Sequence, residues 1–263
     1  MSDLNVMTFN LRGCVFNDGD NVWSNRALLA TTVVREWEPD ILGLQEAQEG
    51  NLDTFSEALS GYERKDGLRY NNRDPFAWNA VYWKNDRLKL LRSGGFWLSQ
   101  TPEEFSGDWG TDCIRSAHWL EFETIPGAER VFYLNTHLDH ISSEARIEGA
   151  RLIAGRLREL AGKETPVIIT GDFNCGPDSP AYLVFKEQGF RDTHLEAGNS
   201  ENDEDASTFH GFTGKPSHGK GRIDWILIRG GLKTRNCEII HQAKPPVYPS
   251  DHFPVAAKLR VEG

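Results

Sequence analysis

The sequence is poor in cysteine and has no long apolar run, and both absences narrow the kind of protein it encodes. Its four cysteines are scattered, with neither a CxxC pair nor zinc-motif spacing: Cys14, Cys113, Cys175 and Cys237. Reduced thiols in a cytoplasmic protein are the favoured interpretation. No stretch approaches the roughly 18 apolar residues that span a bilayer. The N-terminus lacks the basic and apolar regions of a secretory leader, so we expect neither a membrane anchor nor secretion.

Linkers, internal repeats and low-complexity tracts are also absent from the 263 residues. This favours a single domain spanning residues 1–263. Two catalytic motifs are missing as well. Without a GxSxG elbow there is no candidate serine nucleophile, and without a GxxxxGK[ST] loop there is no site for a nucleoside triphosphate.

Basic residues are fewer than acidic residues. Lys and Arg number 29 against 39 Asp and Glu, which gives a net charge of −10 and a pI of about 5.3. This balance disfavours a protein that binds duplex DNA through non-specific phosphate contacts, although it leaves room for a nuclease with a local basic rim. It fits a carboxylate-rich site that needs a cation before a phosphate can approach.

The most informative stretch runs from residue 166 to residue 174. Its apolar and β-branched segment, Val167–Thr170, predicts a short buried strand. Asp172 and Asn174 follow, and residues two apart share a side where the chain is extended. Ligands collect at the carboxyl ends of strands in open α/β sheets, so the two side chains could orient a water and hold a phosphate oxygen. A plain strand-to-turn junction is the alternative.

Strand and helix patterns alternate along the rest of the chain. Helical spacing predicts helices from Ser24 to Pro39, from Glu49 to Leu59, from Glu144 to Ala161 and from Ala181 to Gln188. Residues 62–98 lack helical periodicity and predict hairpins, and residues 99–111 have the composition of a long surface loop. This order favours an α/β (α+β) fold of mixed sheets with helices outside over a doubly wound parallel sheet.

Polar side chains stand at the ends of several predicted strands and turns. They are Asn10; Glu46; His137 with Asp139; Asp172 with Asn174; Asp224; and Asp251 with His252. Each alone is commonplace at a solvated strand end. Together they supply oxygen-rich ligands, which favour Mg²⁺, or Mn²⁺, over Zn²⁺. A hard cation, a carboxylate that activates water and histidines that stabilise charge are what phosphate-ester hydrolysis requires.

Six short motifs carry a family resemblance. They are Thr8-Phe9-Asn10, Gln45-Glu46, Asn135-Thr136-His137-Leu138, Gly171-Asp172-Phe173-Asn174, Arg222-Ile223-Asp224-Trp225 and Ser250-Asp251-His252. In this order, and over almost the whole chain, they resemble the endonuclease/exonuclease/phosphatase superfamily of deoxyribonucleases, inositol 5-phosphatases, neutral sphingomyelinases and deadenylases. The resemblance implies a metal-dependent phosphoesterase built as a four-layer sandwich, in which two mixed β-sheets pack face to face with helices on the outer faces.

The resemblance also implies how a metal and a water would be held. Glu46 would be the principal Mg²⁺ ligand, with Asn10 and Asp251 completing the metal site directly or through water. Asp172 would orient and activate the attacking water. Asn174 would hold a phosphate oxygen.

The remaining implied roles concern charge at the phosphate. His252 would stabilise the transition state, and His137 would act as the acid or electrostatic partner near the leaving oxygen. Asp224 would orient a histidine, for which His137 is the expected partner. Arg115 would be a further phosphate contact, although its match to the family is loose.

The substrate stays open between two classes. A nuclease or phosphodiesterase acting on single-stranded nucleic acid, similar to the deadenylases, is favoured because Trp109 in the long loop could stack a base. A phosphatase or phosphodiesterase for small molecules or lipid headgroups is the alternative that the net charge favours. A catalytically inactive binding protein on the same fold is a remote alternative, and no protein partner is implied.

The other aromatic and histidine residues divide between core and cleft. Trp97 and Trp119 are expected to pack in the core. His140 and His210 are candidates for lining the cleft.

Overall fold

The structure is a computed structural model that describes residues 2–71, 76–162, 164–202, 205–215, 217 and 221–262. The strands are β1 (Asp3–Asn10), β2 (Ile41–Ala47), β3 (Tyr62–Lys65), β4 (Trp78–Lys84), β5 (Leu88–Trp97), β6 (Ser116–Thr124), β7 (Arg130–His137), β8 (Val167–Asp172), β9 (Arg191–Asp192), β10 (Asp224–Arg229), β11 (Leu232–Ile239) and β12 (Val255–Val261). The helices are α1 (Trp23–Trp37), α2 (Glu49–Ala58), α3 (Ser143–Leu160), α4 (Pro180–Glu187) and α5 (Thr193–Glu196), with a 3₁₀ turn at Gly19–Asn21.

Both sheets have six strands and follow the same plan. One has the order β11-β12-β1-β2-β4-β3, and the other has the order β5-β6-β7-β8-β10-β9. The central pair of each sheet is parallel, β1 with β2 and β7 with β8, and the strands that flank these pairs run antiparallel to them. Parallel neighbours need a crossover connection, which α1 supplies in the first sheet and α3 in the second.

The central strands are apolar on both faces because both faces are covered. In β8, Ile168 belongs to the core between the sheets, whereas its neighbour Ile169 packs towards the helical layer of α3 and α4. Phe55 of α2 lies in the corresponding core on the outside of the first sheet. Fully burying one such side chain contributes roughly 1.5–3 kcal/mol. The predicted four-layer sandwich of two mixed sheets with outer helices is confirmed.

One edge of the sandwich collects the polar strand ends. Strands β1, β2, β7 and β8 all end there, since the two parallel pairs run to the same side. Strand β10 runs antiparallel to β8, so its first residue, Asp224, lies opposite Asp172. The turn before β12 reaches the same edge because β12 runs antiparallel to β1. Residues from opposite ends of their strands thus meet in one place.

The predicted helices are found with ends shifted by about a residue, as expected for frayed termini. Ser142 and Ser179 cap α3 and α4 by accepting a backbone N–H, and Pro180 occupies the first turn of α4. Strand β11, an edge strand with exposed charged residues, was not predicted. Within the described ranges, no helix combines the length and apolar character of a membrane span.

Candidate active site

The polar edge of the sandwich opens into a cleft of about 620 Å³ between the two sheets. The predicted residues that line it are Glu46, Arg115, His137, Asp172, Asn174, Asp251 and His252. Asn10 and Asp224 lie directly behind them and hydrogen-bond to them. All of the predicted site residues except Trp109 therefore come together.

Glu46 reaches the cleft through a local break in β2. Its φ of 54° lies in the left-handed region, and the pairing of β2 with β4 shifts register between Leu44 and Ala47. Such bulges redirect a side chain next to functional sites. Asn10 then joins the two sheets, because its Nδ2 donates to Glu46 Oε1 at 3.1 Å and to Asp172 Oδ2 at 2.9 Å.

Asp172 and Asn174 meet through a turn rather than through extended chain. Asp172 is the last residue of β8, and its Oδ1 accepts the backbone N–H of Asn174 at 2.9 Å. Asn174 has a φ of 52°, so the side-sharing expected of an extended segment does not apply. Its Nδ2 donates to the carbonyl of Leu138 at 3.1 Å, which fixes the amide at the end of β7. Asp172 and Asn174 thus lie close together, as predicted, but an Asx-type turn brings them together and not an extended chain.

The expected pairing of Asp224 with His137 is wrong. Asp224 Oδ2 lies 2.9 Å from Nδ1 of His252 instead. The register of β10 places Asp224 opposite Asp172 at the end of β8, within reach of the turn before β12. His252 Nε2 in turn lies 3.8 Å from Asp172 Oδ2, so the imidazole stands between two carboxylates.

His137 has a cation as its neighbour. Arg115 Nη1 lies 3.0 Å from Nδ1 of His137, and a guanidinium can only donate. Nε2 of the same ring lies 3.0 Å from Asn174 Nδ2 and 3.3 Å from Asp172 Oδ2, so both ring nitrogens have polar partners.

The surroundings push the two histidines in opposite directions. Burial lowers the pKa of His137 well below its usual value, and the charges of Arg115 and His252 lower it further. Burial also opposes ionisation of His252, but the carboxylates of Asp224 and Asp172 outweigh it and raise its pKa to about 10. Burial and the nearby Asp224 raise the pKa of Asp172 to about 7. The site therefore holds one imidazolium, one neutral imidazole and a carboxylate with a raised proton affinity.

The carboxylates of Glu46 and Asp251 are the best placed to hold a metal ion. Both line the cleft, and burial together with the charge of Glu46 raises the pKa of Asp251, although His252 opposes this. Among the described residues, Arg12 Nε lies 4.0 Å from Asp251 Oδ2, and no lysine, arginine or histidine nitrogen lies within 4.0 Å of the Glu46 carboxylate. Uncompensated carboxylate oxygens suit a hard divalent cation. Asn10 presents its amide nitrogen to Glu46 and Asp172, because its Oδ1 accepts the N–H of Arg12 at 3.0 Å.

A second group of potential ligands lies beside the first. Donor atoms of Asp172, Asp224 and His252 all lie within 4.8 Å of one another and are buried. Because His252 is protonated and bonded to Asp224 through Nδ1, this group is better described as a charge network than as a metal centre.

The aromatic side chains at the cleft are not those that were expected. Trp109 does not line it; its carbonyl accepts a hydrogen bond from Ser142 Oγ. Of the described residues, four phenylalanines line the cleft instead: Phe16, Phe76, Phe105 and Phe209. Most lie on loops that follow or precede the strands of the site, and this position was the one signal that could have revealed them.

The remaining expectations for aromatic and histidine residues are resolved by position. Trp97 is buried, and Trp119 stacks on Phe132 at a centroid distance of 5.3 Å, as expected of core residues. His140 lines the cleft. His210 does not; it is buried and stacks on Phe253 at 4.0 Å.

Arg26 is a buried residue at the site that the sequence did not reveal. Within the described chain, its guanidinium donates only to backbone carbonyls, those of Leu11, Arg12, Gly13, Asn21 and Pro249. Burial lowers its pKa to about 10. Since these carbonyls belong to the loops that follow Asn10 and precede Asp251, Arg26 fastens the two loops together.

The chain belongs to the Endonuclease/Exonuclease/phosphatase family, whose model matches residues 7–252. Members of the family are metal-dependent phosphoesterases, and the protein is an enzyme of this class. The family and enzyme class expected from the motifs are confirmed.

Solved structures resemble the chain over its whole length. An endonuclease/exonuclease/phosphatase from Bacteroides vulgatus is 28% identical with a TM-score of 0.91, and the match covers 100% of both chains. A mannosyl-6-phosphatase from Bacteroides thetaiotaomicron is 29% identical with a TM-score of 0.89, over 98% of this chain and 99% of that one.

Curated relatives match over a smaller part of their length. Carbon catabolite repressor protein 4 homolog 6 of Arabidopsis thaliana is 24% identical over 170 residues, which are 58% of this chain and 21% of the relative. The chain therefore spans about a fifth of that relative.

Proposed function

We propose that the protein is a Mg²⁺-dependent phosphatase that hydrolyses phosphate esters of small hydroxylated molecules such as sugars. The observation that carries this proposal is the lining of the cleft, where the described residues include two arginines, Arg12 and Arg115, and four phenylalanines. A cleft of about 620 Å³ suits a small ligand. Polynucleotides are bound through many cationic contacts along the backbone. The two arginines that line the cleft in the described part of the chain, together with a net charge of −10, favour a smaller substrate.

Both arginines already contact protein groups. Arg12 hydrogen-bonds Asp18 and stacks on Phe16 at 4.0 Å, and Arg115 contacts His137. The 29% identity to a mannosyl-6-phosphatase over nearly the full length of both chains supports the same substrate class.

The proposed reaction is direct attack of a water on phosphorus. Asp172 orients the water and accepts its proton, a task suited to a buried carboxylate with a pKa raised to about 7. Asn174 and Arg115 hold phosphate oxygens at the ends of β8 and of the long loop. Glu46 and Asp251 hold the Mg²⁺, which supplies charge neutralisation at the phosphate when it is bound.

The histidines divide the remaining work. His252, kept as an imidazolium by Asp224, stabilises the negative charge that develops on the phosphoryl oxygens. His137 stays neutral, so it acts near the leaving oxygen as an uncharged polar partner instead of transferring a proton as an acid. Of the two roles that the resemblance implied for His137, acid or electrostatic partner, this proposal keeps the second.

A nuclease acting on single-stranded nucleic acid is the second candidate, because the phenylalanines of the cleft could stack bases. The two candidates are separated by incubating the protein and Mg²⁺ with mannose 6-phosphate, glucose 6-phosphate or an end-labelled oligoadenylate. Phosphate release from the sugar esters, absent in Asp172→Asn, supports the proposal. A ladder of shortened oligonucleotides without phosphate release from the sugars overturns it in favour of the nuclease.

A further inference from the structure

A group of mixed donor atoms stands at the mouth of the cleft, apart from the catalytic carboxylates. Asp112 and Cys113 lie at the end of the long loop before β6, and His140 lies between β7 and α3. Their donor atoms lie within 4.8 Å of one another. Asp112 Oδ2 is 3.6 Å from the Cys113 sulfur and 3.8 Å from His140 Nε2.

Asp139 holds the two segments of this group in place. Its Oδ2 accepts from Thr111 Oγ1 at 2.9 Å and from the backbone N–H groups of Asp112 and Cys113 at 3.0 and 3.3 Å. Its Oδ1 accepts from the N–H groups that follow His140, at 3.0 and 2.6 Å. One carboxylate therefore fixes the loop that carries the thiol against the segment that carries the imidazole.

We propose that Asp112, Cys113 and His140 form a Zn²⁺-binding site at the mouth of the cleft. Ligand atoms about 2.0–2.3 Å from a tetrahedral zinc lie roughly 3.3–3.8 Å apart, and the separations of 3.6 and 3.8 Å match this spacing. A thiolate, an imidazole and a carboxylate are the ligands that zinc selects. The thiol proton leaves to solvent when the sulfur binds the metal, and the fourth position is left to water.

The chain thereby separates two metals by donor chemistry. The base of the cleft offers carboxylate oxygens to Mg²⁺, whereas its mouth offers sulfur and nitrogen to Zn²⁺. Sequence spacing did not reveal this site, because its donors come from two loops that only the fold brings together.

Zinc binding changes the contacts of Arg115. Its Nη2 lies 3.4 Å from His140 Nδ1, which must accept from the guanidinium. A metal on Nε2 requires the ring proton on Nδ1, so the contact between Arg115 and His140 must break. Arg115 keeps its contact with His137 at 3.0 Å. The inference concerns binding alone and does not depend on which phosphate ester the enzyme cleaves.

Titration with Co²⁺ and then Zn²⁺, in excess Mg²⁺, tests the site. The wild-type protein should bind one Co²⁺ with a thiolate-to-cobalt charge-transfer band that one equivalent of Zn²⁺ removes. Cys113→Ser should lose the band, and His140→Gln should bind Zn²⁺ at least about 10–100-fold more weakly, by analogy with the loss of groups around metal sites. Cys14→Ser is the matched control, because it removes a half-buried thiol outside this donor group.

The outcomes are distinct. A band that is retained in Cys113→Ser, or that disappears in Cys14→Ser, overturns the assignment. Equal Zn²⁺ affinity in the wild type, Cys113→Ser and His140→Gln also overturns it, whatever the catalytic activity. Asp139→Asn provides a further check: it leaves the three ligands in place but should weaken Zn²⁺ binding by loosening the two segments.

Discussion

Arg26→Lys is expected to lower both the stability of the protein and its affinity for Mg²⁺. The guanidinium donates hydrogen bonds to five backbone carbonyls. A lysine ammonium keeps the positive charge but has three donors. At least two of these carbonyls therefore lose their partner in the variant.

The magnitude follows from those lost hydrogen bonds. A buried polar group left without a partner costs roughly 1–3 kcal/mol. Two such carbonyls should therefore lower the free energy of unfolding by about 2–6 kcal/mol. Leu11 directly follows Asn10, and Pro249 precedes Asp251 by two positions, so loosening the clamp displaces the proposed metal site. We expect Mg²⁺ binding to weaken about 10–100-fold, the range found when support of metal ligands is lost.

Urea unfolding measures the first quantity. The rise of the unfolding midpoint with Mg²⁺ concentration measures the second, because a ligand that binds the native state stabilises it by mass action. Arg222→Lys is the matched control, since this buried arginine pairs with Asp192 and Glu201 instead. It should lower stability and leave the Mg²⁺ affinity unchanged. Wild-type Mg²⁺ affinity in Arg26→Lys would refute the positioning role, and a stability loss below about 1 kcal/mol would refute the hydrogen-bond reasoning.

Three further outcomes are expected. Asp172→Asn should release phosphate at least about 100-fold more slowly, since a general base contributes roughly 10²–10⁴-fold, while Mg²⁺ still raises its unfolding midpoint; retention of a tenth or more of the wild-type rate would remove Asp172 from the role of base. Gly171→Ala should destabilise the protein by about 1–3 kcal/mol, because a Cβ at this position meets the carbonyl oxygen of Thr136 on the neighbouring strand; urea unfolding checks this, and wild-type stability would contradict it. Burial lowers the pKa of His118 in the folded protein to about 4. Below pH 6.5 the unfolded chain binds a proton at this histidine that the folded protein does not bind, so the free energy of unfolding falls as the pH drops from 6.5 to about 4. Between pH 6.5 and 5 the wild type should therefore lose about 2 kcal/mol more than His118→Gln, and parallel pH profiles of unfolding free energy in the two proteins would show that His118 is not the cause.

The fold was predictable because its signals are local and repeated. Val167–Thr170 are apolar or β-branched at every position, and this indicated a strand covered on both faces. Helical spacing in residues 144–161 indicated the crossover helix before it. The order of the motifs then placed the strands in two mixed sheets. Strand β11 escaped prediction because an edge strand with exposed charges buries too little to leave a clear pattern.

Which residues come together at the cleft was easier to predict than which of them hydrogen-bond to each other. Asp224 bonds His252 because of the antiparallel register of β10 with β8, and register depends on pairing that no single motif contains. Glu46 reaches the cleft through a bulge, and Asn174 through a turn with positive φ, although both residue types look ordinary in sequence. The clamp of Arg26 consists of carbonyls, which every residue has, so its partners leave no trace in the sequence.

The placement of the site at the seam of two sheets has a consequence for how the enzyme comes into being. Asn10 belongs to the first strand, whereas His252 stands just before the last one. Chains are synthesised from the N-terminus and fold as they emerge. The part of the site that contains Asn10 is therefore made before the part that contains His252. The nascent chain therefore has no complete phosphate site until the segment that carries His252 and β12 has docked beside β1.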